Sequence, residues 1–354
     1  MTAFVKDKVK KFFLDYLPNV LTDASLFNEA ATSEPSKKNV PKFPSYICME
    51  LTNACNLRCI HCLYQGGTTE HYKAKTGFMK AAFAKEKLDE LKVYNCSVML
   101  NGDGESLLHP RFHEIAQYAV SLGLPSVYFN TNGVLLTPEF TDEFVKYFKG
   151  MVSISLDGFK ESHERIRRGS SYKLVTENIF YLKEQAKRCG AQIEISVAYC
   201  NYDQGEDERD EFVKYWVDRA DIVSVCEVYD KDYKIISNKI NKSSEIKRVT
   251  CGVPWETFIV RWNGLVIPCS NCFSLSDEKE VILGDANTQT LHDIWYGKNA
   301  GELRKRTEKN DLLGTICEKC ERWNMYVLFG TQEEDGMSVT RSGIFTVYRK
   351  TQGS

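Results

Sequence analysis

Eight of the thirteen cysteines in this 354-residue chain fall into two groups whose spacing suits chemistry. The stretch "TNACNLRCIHC" (52–62) sets Cys55, Cys59 and Cys62 close together, and the C-terminal third holds Cys251, Cys269, Cys272, Cys317 and Cys320. Disulfides are rare in the cytosol, so clustered thiols in a chain without export features point to metal or catalysis. Four thiolates close a tetrahedral zinc or fill every iron of a cubane cluster. Three leave one iron open, able to chelate the amino and carboxylate groups of a ligand and pass it an electron. Zinc with a distant fourth ligand, such as His61, is the alternative reading of the triad. The remaining cysteines, Cys48, Cys96, Cys189, Cys200 and Cys226, are expected to be small buried apolar residues.

The elements that must position these groups follow from periodicity. "SYICMEL" (45–51) reads as a strand running into the triad. Helical "AFAKEKLDELKVY" precedes a strand in "CSVMLNGDGES", and "RFHEIAQYAVSLG" precedes the strand of "SVYFNTNG". "PEFTDEFVKYFKG" leads to "MVSISLDG", "YKLVTENIFYLKEQAKRCG" to "AQIEISVAY", and "EDERDEFVKYWVDRA" to "DIVSVCEVY". Strands alternating with helices imply a parallel sheet with right-handed crossovers. Six such units fit between residues 45 and 230, too few for an eightfold barrel, so an open or partial barrel is expected. Catalytic residues in such sheets sit at the C-terminal strand ends. The triad, "NGDGES", "NTNG" and "SLDG" all fall there.

Together these residues resemble the radical S-adenosylmethionine (radical SAM) superfamily, over about residues 45–235. Its hallmark is CxxxCxxC after the first strand of a partial (βα)6 barrel. The resemblance implies a [4Fe-4S] cluster on Cys55, Cys59 and Cys62 whose open iron binds SAM, and reductive cleavage of SAM to methionine and a 5′-deoxyadenosyl radical. It places Gly102, Gly104 and Glu105 near the SAM amino group, with Asp103 departing from the family's Gly-Gly-Glu pattern. It further implies Asn132, Ser153, Ser155 and Asp157 as SAM contacts. Arg167 or Arg168 would pair with the SAM carboxylate, because a guanidinium fork matches a carboxylate.

In the last third, "TFIVRW" and "LVIPC" read as strands joined at Asn263-Gly264, a strong hairpin signal. The hairpin brings Cys251 toward Cys269; a helix containing "DIW" and then "CEKC" (317–320) follow. Cys251, Cys269, Cys317 and Cys320 supply four thiolates, with a structural zinc as the alternative to a closed cluster. This arrangement is similar to the SPASM/twitch extension of radical SAM enzymes. No cysteine follows Cys320, where "ERWNMY" stands, so one auxiliary [4Fe-4S] cluster is expected, making two in all. Cys272 is then a spare thiol, read as a buried small residue, a hydrogen-atom donor or an alternate ligand; were the reaction an epimerisation, Cys272, or else Cys200 or Cys226, would supply the returning hydrogen.

The expected fold class is therefore α/β: a partial (βα)6 barrel (45–235) followed by a small α+β cluster domain (236–330). Residues 1–44 are expected to be an N-terminal helix and linker, and 331–354 a strand-like tail that closes a sheet edge or covers the pocket. Apolar residues from Val5 to Val20 follow a helical period, interrupted by charges, so export is not expected. No run approaches the ~18 continuous apolar residues of a membrane span. With a net charge of −2 and no basic tract, neither nucleic acid nor membrane is expected as a partner. The chain is expected in the cytoplasm, with a reductant such as flavodoxin or ferredoxin.

A closed auxiliary cluster suits an electron conduit. The expected reaction is therefore oxidation of a small-molecule alcohol, such as a sugar or aminocyclitol. The short stretch before the first strand, with no leader-binding domain, leans the same way. Modification of a peptide or protein is the alternative, and a non-catalytic iron–sulfur electron carrier is the reading from another class.

Overall fold

The computed structural model describes residues 40–65, 75–228, 248–275, 279–321, 323 and 328–351. The apolar stripe read between Val5 and Val20, and most of "ERWNMY", lie outside them.

Six βα-type units run in chain order: β1 (Tyr46–Met49), α1 (Ala81–Val93), β2 (Ser97–Met99), α2 (Phe112–Ser121), β3 (Val127–Thr131), α3 (Pro138–Phe144), β4 (Gly150–Ser155), α4 (Lys160–Ile166), α5 (Tyr172–Cys189), β5 (Ile193–Asn201), α6 (Glu206–Trp216) and β6 (Ile222–Glu227). β1 to β6 lie side by side in sequence order and every neighbouring pair is parallel. The helices begin and end where local chemistry dictates. Thr137 caps α3 with Pro138 in its first turn, Ser171 caps α5, and Gly190 ends α5 in the left-handed region.

The period of two along the strands separates a dry face from a wet one. Val152 and Ile154 of β4, Ile195, Val197 and Tyr199 of β5, and Val223 and Val225 of β6 are buried in the core. From α5, Val175, Ile179, Leu182 and Ala186 join them at helical spacing. Burying each of the Val, Ile and Leu side chains contributes roughly 1.5–3 kcal/mol. The alternate residues, Ser153, Ser155, Ser196, Cys200 and Ser224, line a cavity instead.

The C-terminal third extends the same sheet at both edges. β7 (Ile259–Val260) pairs parallel with β1, Cys48 opposite Ile259 and Met49 opposite Val260. β8 (Leu265–Ile267) returns antiparallel to β7 through Asn263-Gly264, where Gly264 has φ +89°, and β9 (Gly284–Asp285) follows. The helix expected around "DIW" is two, α7 (Leu291–Trp295) and α8 (Lys298–Glu308), broken at Gly297. At the other edge β10 (Leu328–Glu334), β11 (Met337–Ser342) and β12 (Phe345–Lys350) form an antiparallel meander, and β12 pairs with β6. The C-terminal strands thus cover the open edge of β6, and Phe345 and Val347 also reach the cavity wall.

Candidate functional site

Every expected loop opens onto one cavity of about 1080 Å³, lined by Cys55, Cys59 and Cys62 on one side and by Cys251, Cys269, Cys272, Cys317 and Cys320 on the other. The triad loop leaves β1 and is held by its neighbours' backbones. Arg58 N–H donates to the Arg168 carbonyl (3.0 Å) and Ile60 N–H to the Ile166 carbonyl (2.9 Å). Leu57 N–H faces Cys55 Sγ (3.5 Å) and Gln65 N–H faces Cys62 Sγ (3.3 Å). Burial pushes the Cys55 and Cys59 thiols up to about 11, with Arg167 opposing the rise at Cys59. Loading with a cationic iron core would release those protons.

The "NGDGES" loop braces the triad from behind. A Cβ on Gly104 would stand 2.2 Å from the Ala54 carbonyl oxygen, and one on Gly102 would stand 2.3 Å from Glu50 Cγ. Only glycine lets the two loops approach this closely. Glu105 does not present a free carboxylate. Its Oε1 accepts from Thr131 Oγ1 (2.8 Å) and Leu107 N–H (3.2 Å), and its Oε2 from Asn132 N–H (2.7 Å), while its own N–H donates to Ala54 (2.7 Å). Asn132 in turn donates through Nδ2 to Asn56 Oδ1 (2.7 Å), beside Cys55. Asp103, the residue that breaks the glycine pattern, lies 3.8 Å from Arg261.

At the end of β4, fully buried Asp157 pairs through Oδ2 with Arg167 Nε (2.8 Å) and accepts the Cys200 N–H (2.8 Å) on Oδ1. Burial would raise its carboxyl, but the Arg167 guanidinium, followed by His61, holds it below its ordinary value. Arg167 Nη1 is 4.0 Å from Cys59 Sγ. Of the two arginines offered as alternatives, Arg167 lines the cavity and Arg168 is exposed. α4 ends at Ile166, so both arginines follow it outside the helix.

The C-terminal thiols form one neighbourhood. Burial, then Cys269, Cys320 and Cys317, raises Cys251 far above an ordinary thiol. Burial and Cys269 push Cys317 up to about 12. Asn271 Nδ2 donates to Cys320 Sγ (3.1 Å), and Arg248 Nη2 donates to the Cys317 carbonyl (2.6 Å). Cys272 Sγ stands 3.8 Å from Cys269 Sγ, fully buried among Cys48, Ile259, Ile267, Phe273 and Val281. Its packing fits the small buried residue, and its sulfur contact fits the alternate ligand. Tyr64, two residues past Cys62, donates to the Ser270 carbonyl (2.8 Å) and ties the two thiol groups together.

Several placements differ from the sequence reading. Cys189 is exposed at the end of α5 rather than buried, and Cys200 and Cys226 are half-buried and in contact rather than isolated. Glu227, at the end of β6, is a buried carboxyl lining the cavity; burial pushes it up to about 7, with Asn201 and Arg209 lowering it. Its position at a strand end was the available signal.

Sequence comparison agrees with this geometry. A family model for the radical SAM superfamily matches residues 49–223, and one for an iron–sulfur cluster-binding domain, SPASM, matches residues 251–321. The AdoMet-dependent heme synthase of Methanosarcina barkeri is 36% identical over 125 residues, 35% of this chain and 34% of that protein. The mycofactocin maturase MftC of Mycobacterium tuberculosis is 35% identical over 132 residues, 37% of this chain and 32% of that protein. The chain thus spans about a third of the length of each of these relatives. Among solved structures, Streptococcus suis SuiB bound to its precursor peptide SuiA superposes with a TM-score of 0.61 at 15% identity, covering 86% of this chain and 79% of that one. The chain belongs to the radical SAM superfamily and carries a C-terminal iron–sulfur cluster-binding domain, so its cofactors are SAM and [4Fe-4S] clusters. Among the described residues, no helix is long and apolar enough to cross a membrane.

Proposed function

We propose that this chain is a radical SAM enzyme that modifies a peptide or protein substrate. The observation that carries the reading is the single cavity joining the two thiol groups. That cavity, of about 1080 Å³, would hold both clusters and SAM and leaves the substrate a position between them. SuiB, whose fold this chain shares, binds a precursor peptide, and MftC is a maturase. These likenesses favour a peptide over the small alcohol suggested by the closed auxiliary cluster.

Cys55, Cys59 and Cys62 would hold the SAM-binding cluster, and Cys251, Cys269, Cys317 and Cys320 one auxiliary cluster, the twitch arrangement. Bound there, SAM and its cluster would supply radical chemistry able to remove a hydrogen atom from the substrate. The chain's own residues position the reactants. Arg167 offers a guanidinium beside Cys59, while Gly102 and Gly104 keep the second loop close enough to brace the triad. Glu105 and Asn132 fix the third strand end against it, and Ser153, Ser155 and Asp157 line or buttress the wall of β4.

The test is 5′-deoxyadenosine formation by the iron-loaded, reduced protein, with and without short peptides encoded beside its gene. Stimulation by such a peptide, with a mass change on it, supports the reading. Stimulation by sugars or aminocyclitols alone, with loss of two hydrogens, would return the function to alcohol oxidation.

A further inference from the structure

Cys200 and Cys226 occupy directly paired positions on the parallel strands β5 and β6, and their sulfurs are 3.4 Å apart. Both follow the inward face that carries Ser196 and Ser224, and Cys200 lines the cavity. The sulfur of Cys200, a carboxylate oxygen of Asp157 and a ring nitrogen of His61 all lie within 4.8 Å of one another. His61 stands between Cys59 and Cys62, so the thiol pair borders the triad. Neither thiol belongs to the two ligand groups. Contact with Cys226, then burial, raises Cys200 well above an ordinary thiol, so it keeps its hydrogen at neutral pH.

We propose that Cys200 and Cys226 form a reducing dithiol that returns a hydrogen atom to a carbon radical in this cavity. The inference rests on the radical reading above and deepens it: the modification would be redox-neutral at the substrate, such as inversion of a carbon centre. The S–H bond of Cys200 breaks and a C–H bond forms on the substrate, leaving a sulfur radical. Cys226 loses its proton to solvent and closes an S–S bond with that radical, giving a disulfide radical anion. One electron from a low-potential one-electron donor, with two protons from water, restores both thiols. Two sulfurs on adjacent strands, about 4.8 Å apart in backbone, can close such a bond with small side-chain rotations.

The test needs no substrate. Iron-loaded, reduced protein is given SAM alone in deuterated water, where thiols exchange their hydrogen and carbon-bound hydrogens do not. The expected result is 5′-deoxyadenosine carrying one deuterium, with most of that label lost in Cys200→Ser. In parallel, mild oxidation of the same loaded protein should give a disulfide-linked pair of peptides containing Cys200 and Cys226, seen by mass spectrometry and absent in Cys226→Ser. Unlabelled 5′-deoxyadenosine from the wild type would overturn the dithiol while leaving the radical reading intact. Label that survives Cys200→Ser but disappears in Cys272→Ser would assign the donor to Cys272 and likewise overturn it. Failure to form 5′-deoxyadenosine at all would overturn the parent reading, and the dithiol with it.

Discussion

Arg261 Nε donates to Glu50 Oε2 at 2.8 Å, with both side chains withdrawn from solvent. The same carboxylate receives the Trp262 N–H (3.3 Å) on Oε2 and the Asp103 N–H (3.1 Å) on Oε1. One buried pair therefore joins the end of β1, the glycine loop that braces the triad, and the hairpin of the cluster domain. Removing one partner of such a pair leaves an uncompensated buried charge, at a cost of about 3–5 kcal/mol. Arg261→Met should lower the thermal unfolding midpoint sharply, and Glu50→Gln combined with Arg261→Met should recover part of the loss. Equal midpoints for the single and double variants would show that the pair does not couple the two regions.

Gly104 allows a different separation. Its absent Cβ would collide with backbone, not with a side chain that can swing away. Gly104→Ala should therefore displace the loop bearing Cys55 while leaving the C-terminal thiols in place. Iron analysis after reconstitution should fall from about eight to about four per chain. Retention of the full complement would mean that the loop tolerates the displacement.

The two adjacent arginines should behave differently. Arg167→Ala removes the buried partner of Asp157 and should weaken SAM binding to the iron-loaded protein at least severalfold. Arg168→Ala changes an exposed side chain and should alter stability by less than about 0.5 kcal/mol, with SAM affinity unchanged. Titration of SAM into the two variants checks both; the reverse ranking would show that the carboxylate contact was assigned to the wrong arginine.

Glu227 predicts a pH dependence whose sign can be worked out. Its carboxyl sits near 7 in the folded chain and at 4.5 ordinarily, so the folded state holds the proton more tightly. Its contribution to stability is therefore lost as pH rises between those values, and the full penalty is present above about 7. Asn201 and Arg209 are the groups that oppose the shift. Glu227→Gln should be more stable than wild type at pH 8, by an amount on the order of 3 kcal/mol, and the gap should shrink toward pH 5. Denaturant midpoints at the two pH values measure it. A gap independent of pH would contradict the assignment.

What was legible in the sequence follows its local signals. The triad spacing, the glycine-rich strand ends and the alternation of periods fixed the order of β1 to β6 and the face on which chemistry occurs. Asn263-Gly264 announced its hairpin. The partner of that hairpin was not announced, because β7 joins β1 across 211 residues and no local pattern encodes such a choice. For the same reason Arg261 went unremarked within "TFIVRW", and Asp103 read as a departure from a family pattern. Once the strands are paired, both belong to one network. Glu105 was visible as a loop carboxylate, but its hydrogen bonds to Thr131 and Asn132 depend on the third strand end. Cys200 and Cys226 looked scattered because 26 residues separate two positions that parallel pairing makes neighbours.

The most direct test of the central claim, that the triad carries SAM-cleaving iron, compares wild type with Cys55→Ala/Cys59→Ala/Cys62→Ala after anaerobic reconstitution. Reduced wild type given SAM should form 5′-deoxyadenosine. The triple variant should form none while keeping about four irons on the C-terminal thiols. Continued reductive cleavage by the triple variant, or stoichiometric zinc in place of iron in the wild type, would contradict the account.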